Sequence, residues 1–192
     1  RFRGLFLIPW TIPSVVVAIL FRWMFHQQFG VMNYLLHLFG LTDTVNIAWT
    51  QQPFLAMLLV VMAAVWRQLP YMMVMILAAL QSVDKTLIEA ARIDGAGAGR
   101  ILWNITLPSI KPVASTAVWL AVLSNFQMFT IVYNMTGGGP VDATTTLGIA
   151  AYRTAFQAYN FGEGSTIGVL WMLVLLAGTL AYNYLNERSI NN

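Results

Sequence analysis

Charged side chains concentrate between positions 81 and 112, a segment that holds Asp84, Lys85, Glu89, Arg92, Asp94, Arg100 and Lys111. Carboxylates and cations this close together could do acid–base or metal chemistry. However, the chain supplies no acid–base dyad, cluster of metal-ligating residues or activated nucleophile at one depth. The segment therefore favours contact with a surface, of a membrane or of another chain, over catalysis.

Two short helices fit this segment. Ser82 or Asp84 can cap the first helix, which we expect to run through Ala91 and to stop near Gly95. Its apolar face would carry Leu87, Ile88 and Ala91, and its polar face Lys85, Glu89 and Arg92. The pair of faces is typical of an amphipathic helix at a membrane surface or at an interface.

The second short helix is predicted over about residues 99–106. It is expected to end at Leu107-Pro108, because a proline disfavours helical backbone in the residue before it. The glycines between the two helices permit backbone turns that other residues avoid.

The elements that must position this segment are apolar. Hydrophobic residues make up 58% of the 192 residues and charged residues only 9%, against averages of about a half and about a quarter. A soluble domain of this size would need far more charge at its surface, whereas a bilayer is itself an apolar solvent. The composition indicates an integral membrane protein.

Four apolar stretches approach the roughly 20 residues needed to cross about 30 Å of hydrocarbon. They lie near residues 4–25, 54–80, 113–133 and 167–185. Pro9 and Pro13 are expected to kink the first. The mixed segment Ala143–Tyr159 could form a short interfacial helix. We therefore predict an all-α fold, a polytopic transmembrane helical bundle that forms a single domain over residues 1–192.

Lys and Arg near the span ends predict the orientation. If the four spans alternate, one side receives Arg1, Arg3, Lys85, Arg92, Arg100, Lys111 and Arg188, and the other only Arg153. The cation-rich side is predicted to be cytoplasmic. This puts the 81–112 loop and the C-terminus in the cytoplasm and the loops 26–53 and 134–166 outside.

The spacing within the 81–112 loop is specific. Glu89-Ala90-Ala91, Gly95 and then Ile105 with Leu107-Pro108 give E-A-A-x-x-x-G, followed nine residues later by I-x-L-P. This pattern resembles the EAA loop of the permease subunits of bacterial binding-protein-dependent ABC importers. The resemblance implies the type I ABC importer permease fold, with the loop as a cytoplasmic coupling segment.

The rest of the chain is similar to the carbohydrate-uptake branch of that family, and most to the first permease of maltose and glycerol-phosphate type systems. The matching motifs are FLIPWTIP at 6–13, FGVMN at 29–33, PYMM at 70–73, TGGGP at 136–140, ATTTL at 143–147 and YRTAF at 152–156. Members of that branch have one or two further spans before this point, so we expect that the sequence lacks an N-terminal segment.

The resemblance implies that the first helix of the loop docks into a groove of a separate ATP-binding subunit. The residues implied in coupling are Glu89, Ala90, Ala91, Asp94, Gly95, Leu107 and Pro108. Small side chains allow close approach, and a charge fixes the register on the partner. The alternative for Glu89 is a solvated acid on an exposed helix face.

The family also implies partners. They are a dimer of ATP-binding subunits, a second permease that forms a heterodimer with this chain, and an extracytoplasmic sugar-binding protein, assembled in the cytoplasmic membrane of a bacterium. The external segment from Gly137 to Phe156 is expected to face the binding protein, or else to be a plain connector.

The positions that match the sugar-contacting sites of the maltose-type permease are Gln68, Tyr71, Ala121, Ser124, Asn125 and Met128, and Trp66 is a further candidate. Tyr71 and Asn125 agree in type with the maltose case, whereas Gln68, Ala121 and Met128 differ. Aromatic faces and amide donors suit a pyranose. Each residue could instead serve contacts between helices.

Several activities are disfavoured. The sequence has no G-x-x-x-x-G-K-[ST] loop, so the ATPase would be a separate subunit and this chain is not expected to be an enzyme. It has no cysteine for disulfides and no basic stripe for nucleic acid, and we expect no cofactor or metal site. Arg67 could be paired within the bundle or line a cavity. A permease of the same superfamily for an amino acid, a peptide or an ion stays open as the alternative function.

Overall fold

The computed structural model of the chain describes residues 4–42 and 46–191, and all regular structure in this part is helical. Arg1 and Arg3, which contribute to the predicted orientation, lie outside the described residues, as does the side chain of Arg188. The all-α prediction is confirmed. The α helices are α1 (Ile8–Thr11), α2 (Ser14–Met24), α3 (Val31–Leu38), α4 (Pro53–Gln81), α5 (Lys85–Ile93), α6 (Ala98–Ile101), α7 (Leu107–Phe126), α8 (Phe129–Met135), α9 (Leu147–Tyr152) and α10 (Phe161–Asn191), with a 3-10 turn at Leu5–Leu7 and π-helical turns at Leu102–Thr106 and Arg153–Gln157.

Within the described residues, the helices long and apolar enough to cross a bilayer are Pro53–Gln81, Ala98–Phe126 and Phe161–Asn186. They correspond to the second, third and fourth predicted spans. The first predicted span is divided into α1 and the 11-residue α2. Pro13 lies between them with an extended ψ of 137°, because proline lacks the N–H that would continue a helix. The predicted kink is therefore a break.

The main buried cluster lies where α2, α4 and α8 meet. Ala18 and Ala63 are fully buried there, and such small residues let helices approach closely. Val17, Leu59 and Ile131 fill the space around them. This packing fixes α4 against α8 and so positions the polar residues of both.

The external loop 26–53 is held by one buried amide. The Asn33 side chain donates from Nδ2 to the carbonyls of Gln27, at 3.0 Å, and Ile47, at 3.1 Å. The indole N–H of Trp49 donates to Asn33 Oδ1 at 2.6 Å. The amide thus has partners for its donors and its acceptor, as a buried polar group requires.

The third span differs from the prediction at both ends. The predicted helix end at Leu107-Pro108 is wrong, because α6, the π-helical turn and α7 form one continuous helix, Ala98–Phe126. The π turn directly precedes Leu107-Pro108, and such local adjustments let membrane helices accommodate a proline. At the other end the helix stops at Phe126, and α8 starts only at Phe129.

The external segment 134–166 contains the short helix that the sequence predicts. It consists of α9 followed by the π-helical turn Arg153–Gln157, both within Ala143–Tyr159. The last span begins at Phe161, earlier than the predicted residue 167. Whether the short helix lies at a membrane surface stays a prediction.

Candidate functional site

The coupling helix expected from the sequence is α5, and Asp84 caps it. The Asp84 carboxylate accepts a hydrogen bond from the backbone N–H of Thr86 at 2.9 Å, whereas the Ser82 hydroxyl donates to the Ala79 carbonyl. This hydrogen bond from the Thr86 backbone holds the pKa of the Asp84 carboxyl below its ordinary value. A carboxylate here also interacts favourably with the partial positive charge of the helix N-terminus. The start of α5 is therefore fixed at neutral pH.

The end of α5 is a glycine turn. Gly95 has a φ of +77°, in the left-handed region that favours glycine. The Ala96 N–H donates to the Ala91 carbonyl at 2.9 Å, and the Gly95 N–H donates to the Arg92 carbonyl at 3.1 Å. These two bonds form a Schellman motif. The predicted stop near Gly95 is confirmed, and α5 is a short helix closed at both ends.

Apolar contacts attach α5 to the ends of two spans. Ile88 and Leu107 pack against a buried cluster formed by Ala79, Val83 and Ile110. Ala79 belongs to α4, and Leu107 and Ile110 belong to the long helix that contains α7. Ile88 is therefore the contact through which a displacement of α5 can reach both spans, and Leu107 packs on the same cluster from the side of α7.

The outer side of α5 carries most of the residues that the motif implies in coupling. Glu89 and Ala90 are exposed, Ala91 is half-buried, and Asp94 is exposed at the end of the helix. A carboxylate beside small side chains offers a charge for register and room for close approach. Pro108 is also exposed, but it belongs to the start of α7 and not to α5.

Three large apolar side chains of the 81–112 loop are exposed. Leu87 is 52% exposed, Ile93 87% and Trp103 70%. The prediction that Leu87 shares the packed face of Ile88 is wrong, because consecutive helical residues point about 100° apart. Ile93 and Trp103 fall outside the motif. The sequence indicated these two exposed side chains only by their type, because a large apolar residue is unusual in a loop that is otherwise rich in charge.

A cavity of about 480 Å³ lies between α4 and the junction of α7 with α8. Gln68, Asn125 and Met128, which are predicted substrate positions, line it. The Asn125 amide is oriented by its own helix, since Nδ2 donates to the Ala121 carbonyl at 2.9 Å. The other lining residues are Val60, Val61, Ala64, Val65, Leu69, Met72, Val132 and Thr146. Two amides among apolar walls can hold a small molecule that has polar and apolar faces.

The broken helix beside this cavity is unusual for a membrane segment. The Met128 N–H donates to the Asn125 carbonyl at 3.1 Å, and the Phe129 N–H donates to the Gln127 carbonyl at 2.8 Å. Non-helical backbone at membrane depth is tolerated where it is buried in protein or lines a cavity. Met128 lines this one. The break, which sequence reasoning missed, therefore points to the same place as the two amides.

Three other predicted substrate positions lie outside this cavity, as does Ala121, a fourth position of the predicted match. The Trp66 ring is 5.7 Å from that of Phe21 in α2, and the Tyr71 ring is 6.0 Å from that of Trp10 in α1. Ser124 is exposed and does not line the cavity. A role for these three in substrate binding stays a prediction without support from the cavity.

Arg67 lies half-buried on α4. Its Nε is buried and has no hydrogen-bond partner among the described residues. Pairing of this nitrogen within the described bundle is therefore not observed, and the alternative of a cavity role stays open.

An arginine holds the turn after α8, which is predicted to be external and is called the external turn below. Arg153 donates from Nη2 to the Gly137 carbonyl at 2.7 Å and from Nη1 to the Asp142 carboxylate, with which it forms an ion pair. The Thr145 hydroxyl donates to the Gly138 carbonyl at 3.0 Å. Hydrogen bonds from Arg153 and then Thr145 hold the pKa of the Asp142 carboxyl below its ordinary value.

Gly138 explains why this turn is rich in glycine. Its φ is +99°, and a Cβ at this position would lie 2.7 Å from Thr145 Oγ1. Only glycine allows the threonine and arginine side chains to approach the backbone so closely.

Comparisons with known proteins agree with this architecture. A relative from Thermococcus litoralis, the trehalose/maltose transport system permease protein MalF, is 36% identical over 183 residues, which are 94% of this chain and 60% of the relative. The sulfoquinovosyl glycerol transport system permease protein SmoG of Agrobacterium fabrum is 35% identical over 176 residues, which are 92% of this chain and 56% of that one. The chain thus spans little more than half the length of these curated relatives.

A solved structure shows the same fold. It is a bacterial alginate ABC transporter in complex with an alginate pentasaccharide-bound periplasmic protein, and one of its chains matches with a TM-score of 0.85 at 23% identity, covering 97% of this chain and 64% of that one. Residues 1–191 match a family described as binding-protein-dependent transport system inner membrane component. The chain belongs to this family of inner-membrane transport components.

Proposed function

We propose that this chain is part of the permease subunit of an ATP-driven carbohydrate importer, and that α5 receives the motion of a separate ATP-binding subunit. The supporting observation is the geometry of the 81–112 loop. α5 is closed at both ends, its Ile88 packs against a cluster that contains residues of two spans, and Glu89 and Ala90 are exposed on its outer side. A partner that displaces α5 acts on both spans together, which is what switching between two access states requires.

A carbohydrate cargo is supported by the cavity and by the relatives. The amides of Gln68 and Asn125 can pair with hydroxyl groups, and the apolar walls suit the C–H faces of a sugar ring. No charged side chain is among the described residues that line the cavity. An amino acid or an ion would require a charged partner in such a site, so an uncharged sugar fits better. The printed name of one relative, for trehalose/maltose, agrees with an uncharged sugar, whereas that of another, for sulfoquinovosyl glycerol, agrees with a carbohydrate cargo only, because its sulfonate is charged.

The same proposal assigns the partners. A dimer of ATP-binding subunits would bind at α5 on the cytoplasmic side, and a second permease would complete the translocation path. An extracytoplasmic sugar-binding protein would contact the external turn. The bias of Lys and Arg toward one side of the chain supports this orientation.

The experiment reconstitutes the full permease with its partner subunits in vesicles. Uptake and ATP hydrolysis are measured with a panel of sugar-loaded binding proteins. We expect one of them to stimulate both activities. If no sugar-loaded binding protein stimulated uptake and ATP hydrolysis, the carbohydrate assignment would be refuted.

A matched pair of variants tests the cavity. Asn125→Leu should lower the uptake efficiency about tenfold or more, since a substrate hydroxyl left without a partner costs about 1–3 kcal/mol. Val122→Leu, three residues away and outside the cavity lining, should transport like the wild type. Equal losses in both variants would argue against this cavity as the path.

A further inference from the structure

A second groove lies between α7 and α10, separate from the cavity described above. It consists of two adjoining cavities of about 620 and 670 Å³, and Lys111, Ser115 and Tyr182 line both of them. The first cavity is otherwise apolar, with walls from Ile76, Leu107, Ile110, Ala114, Val118 and Trp119. At one end of the groove the Trp119 ring stacks on Tyr182, with the ring centres 5.3 Å apart, and lies close to Gly178.

The dimensions of the groove match one leaflet of a bilayer. Lys111, Ser115 and Trp119 follow at intervals of four residues, so they share one face of α7. From residue 111 to residue 119 the helix rises about 12 Å, and one leaflet contributes roughly 15 Å of hydrocarbon. Lys111 belongs to the 81–112 segment that is predicted to be cytoplasmic, just before the predicted span 113–133. The groove therefore starts near the predicted cytoplasmic surface and ends near the middle of the membrane.

Polar groups are ordered along the groove. Lys111 lies at its outer end and forms no ion pair with any residue whose side chain is described. One turn deeper, the Tyr182 hydroxyl is 3.0 Å from Thr116 Oγ1 and 3.4 Å from Ser115 Oγ. Below these hydroxyls the walls are apolar. An ammonium, then hydroxyls, then an apolar channel is the order in which a phospholipid presents its phosphate, ester groups and acyl chain.

We propose that this groove binds one anionic phospholipid of the cytoplasmic leaflet. Its phosphate pairs with Lys111, its ester groups lie beside Ser115 and Tyr182, and an acyl chain runs along the apolar walls to Trp119. Basic residues between transmembrane helices on the cytoplasmic side favour anionic headgroups. The inference takes only its orientation from the proposed function. Lys111 is exposed, so a protein helix in the groove could leave its ammonium to solvent, whereas an anionic lipid brings a counter-charge together with the chain.

The test uses the full-length permease in its assembled importer, purified without added sugar or ATP. Native mass spectrometry measures the retention of phosphatidylglycerol and of phosphatidylcholine with the same acyl chains. We expect the wild type to retain phosphatidylglycerol preferentially. Lys111→Gln should raise its Kd about fivefold. Arg100→Gln, which removes a charge from the same loop but does not line the groove, should leave the Kd unchanged.

Two further measurements test the occupant. Ala114→Phe narrows the apolar wall and should lower the retention of both lipids. A photo-activated cross-linker at Val118 should capture lipid. Equal retention of the two lipids by the wild type, an unchanged Kd in Lys111→Gln, or capture of a protein segment at Val118 would each overturn the inference. Lipid retention is measured without transport. A permease that retains the lipid but whose uptake and ATP hydrolysis are stimulated by no sugar-loaded binding protein would refute the proposed function alone.

Discussion

The 81–112 loop and the external turn 136–146 are both ordered, but by different interactions. α5 is attached to the spans by the apolar contacts of Ile88, and its outer side chains are exposed. The external turn is tied to itself and to the following helix by hydrogen bonds, chiefly from Arg153 and Thr145. One loop presents side chains on a movable helix, whereas the other presents a fixed backbone.

This difference suits two tasks. Apolar contacts are non-directional, so a helix held by them can rotate or slide slightly while it still moves its neighbours. Hydrogen bonds depend steeply on angle and therefore fix a backbone in one arrangement. We infer that the 81–112 loop transmits movement and that the external turn offers a constant surface. Substitutions can therefore perturb each loop separately.

The largest effect is expected from Gly95→Pro. Proline has a φ near −65° and no N–H, whereas Gly95 has a φ of +77° and donates to the Arg92 carbonyl. A local cost of about 3 kcal/mol corresponds to a loss of about a hundredfold, which should appear in uptake while ATP hydrolysis continues. Gly97→Pro is the matched control, because Gly97 has a φ of −70°. Equal transport by both variants would contradict a coupling role for the turn.

The next largest effect is expected from Ile88→Ala. The side chain is half-buried against Ala79, Val83 and Ile110, so its loss should cost about 1–2 kcal/mol, less than full burial would. Hydrogen exchange of the α5 amides should accelerate about tenfold. Ile93→Ala removes the same atoms from a side chain that is 87% exposed, and it should leave exchange in the isolated permease unchanged. If both variants exchange alike, α5 is not held by apolar packing.

The sequence predicted the features that local chemistry decides. Long apolar runs have few alternatives to a helix in a bilayer, so a long helix is present at each of the last three predicted spans, and the helix Pro53–Gln81 lies within one residue of its predicted range at each end. The Asp84 cap and the Gly95 stop of α5 depend only on neighbouring residues, and both are present. A proline between α1 and α2 acts in the same local way.

Features that depend on neighbouring helices were missed or misplaced. The break at Gln127–Met128 contains neither proline nor glycine, so nothing local indicates it. The end predicted at Leu107-Pro108 is overridden by the preceding π turn. Residue type also does not indicate which side of α4 a side chain occupies. In the structure the rings of Trp66 and Tyr71 pack against α2 and α1, whereas Gln68 lines the cavity.

A smaller effect is expected from Arg153→Gln in the external turn. The change removes the ion pair with Asp142 and the hydrogen bond to the Gly137 carbonyl. Since the pair is largely exposed, we expect only a small local loss of stability, seen as about fivefold faster hydrogen exchange in residues 136–146. Arg22→Gln removes a charge from the same external pocket and is the control. Acceleration that spreads to α5 would contradict the independence of the two loops.

The smallest effect is a pH dependence confined to the external turn. Hydrogen bonds from Arg153 and Thr145 hold the pKa of Asp142 below its ordinary value of 3.8. For a carboxyl whose pKa is lowered by folding, the stabilisation is fully present above the ordinary pKa and is lost as the pH falls through the folded value. Protection of residues 136–146 from exchange, corrected for the intrinsic rate, should therefore stay constant down to about pH 4 and decrease below it. Asp142→Asn should abolish this dependence, because an amide does not titrate in this range. A decrease that begins near neutral pH, or that persists in Asp142→Asn, would show that another group controls the turn.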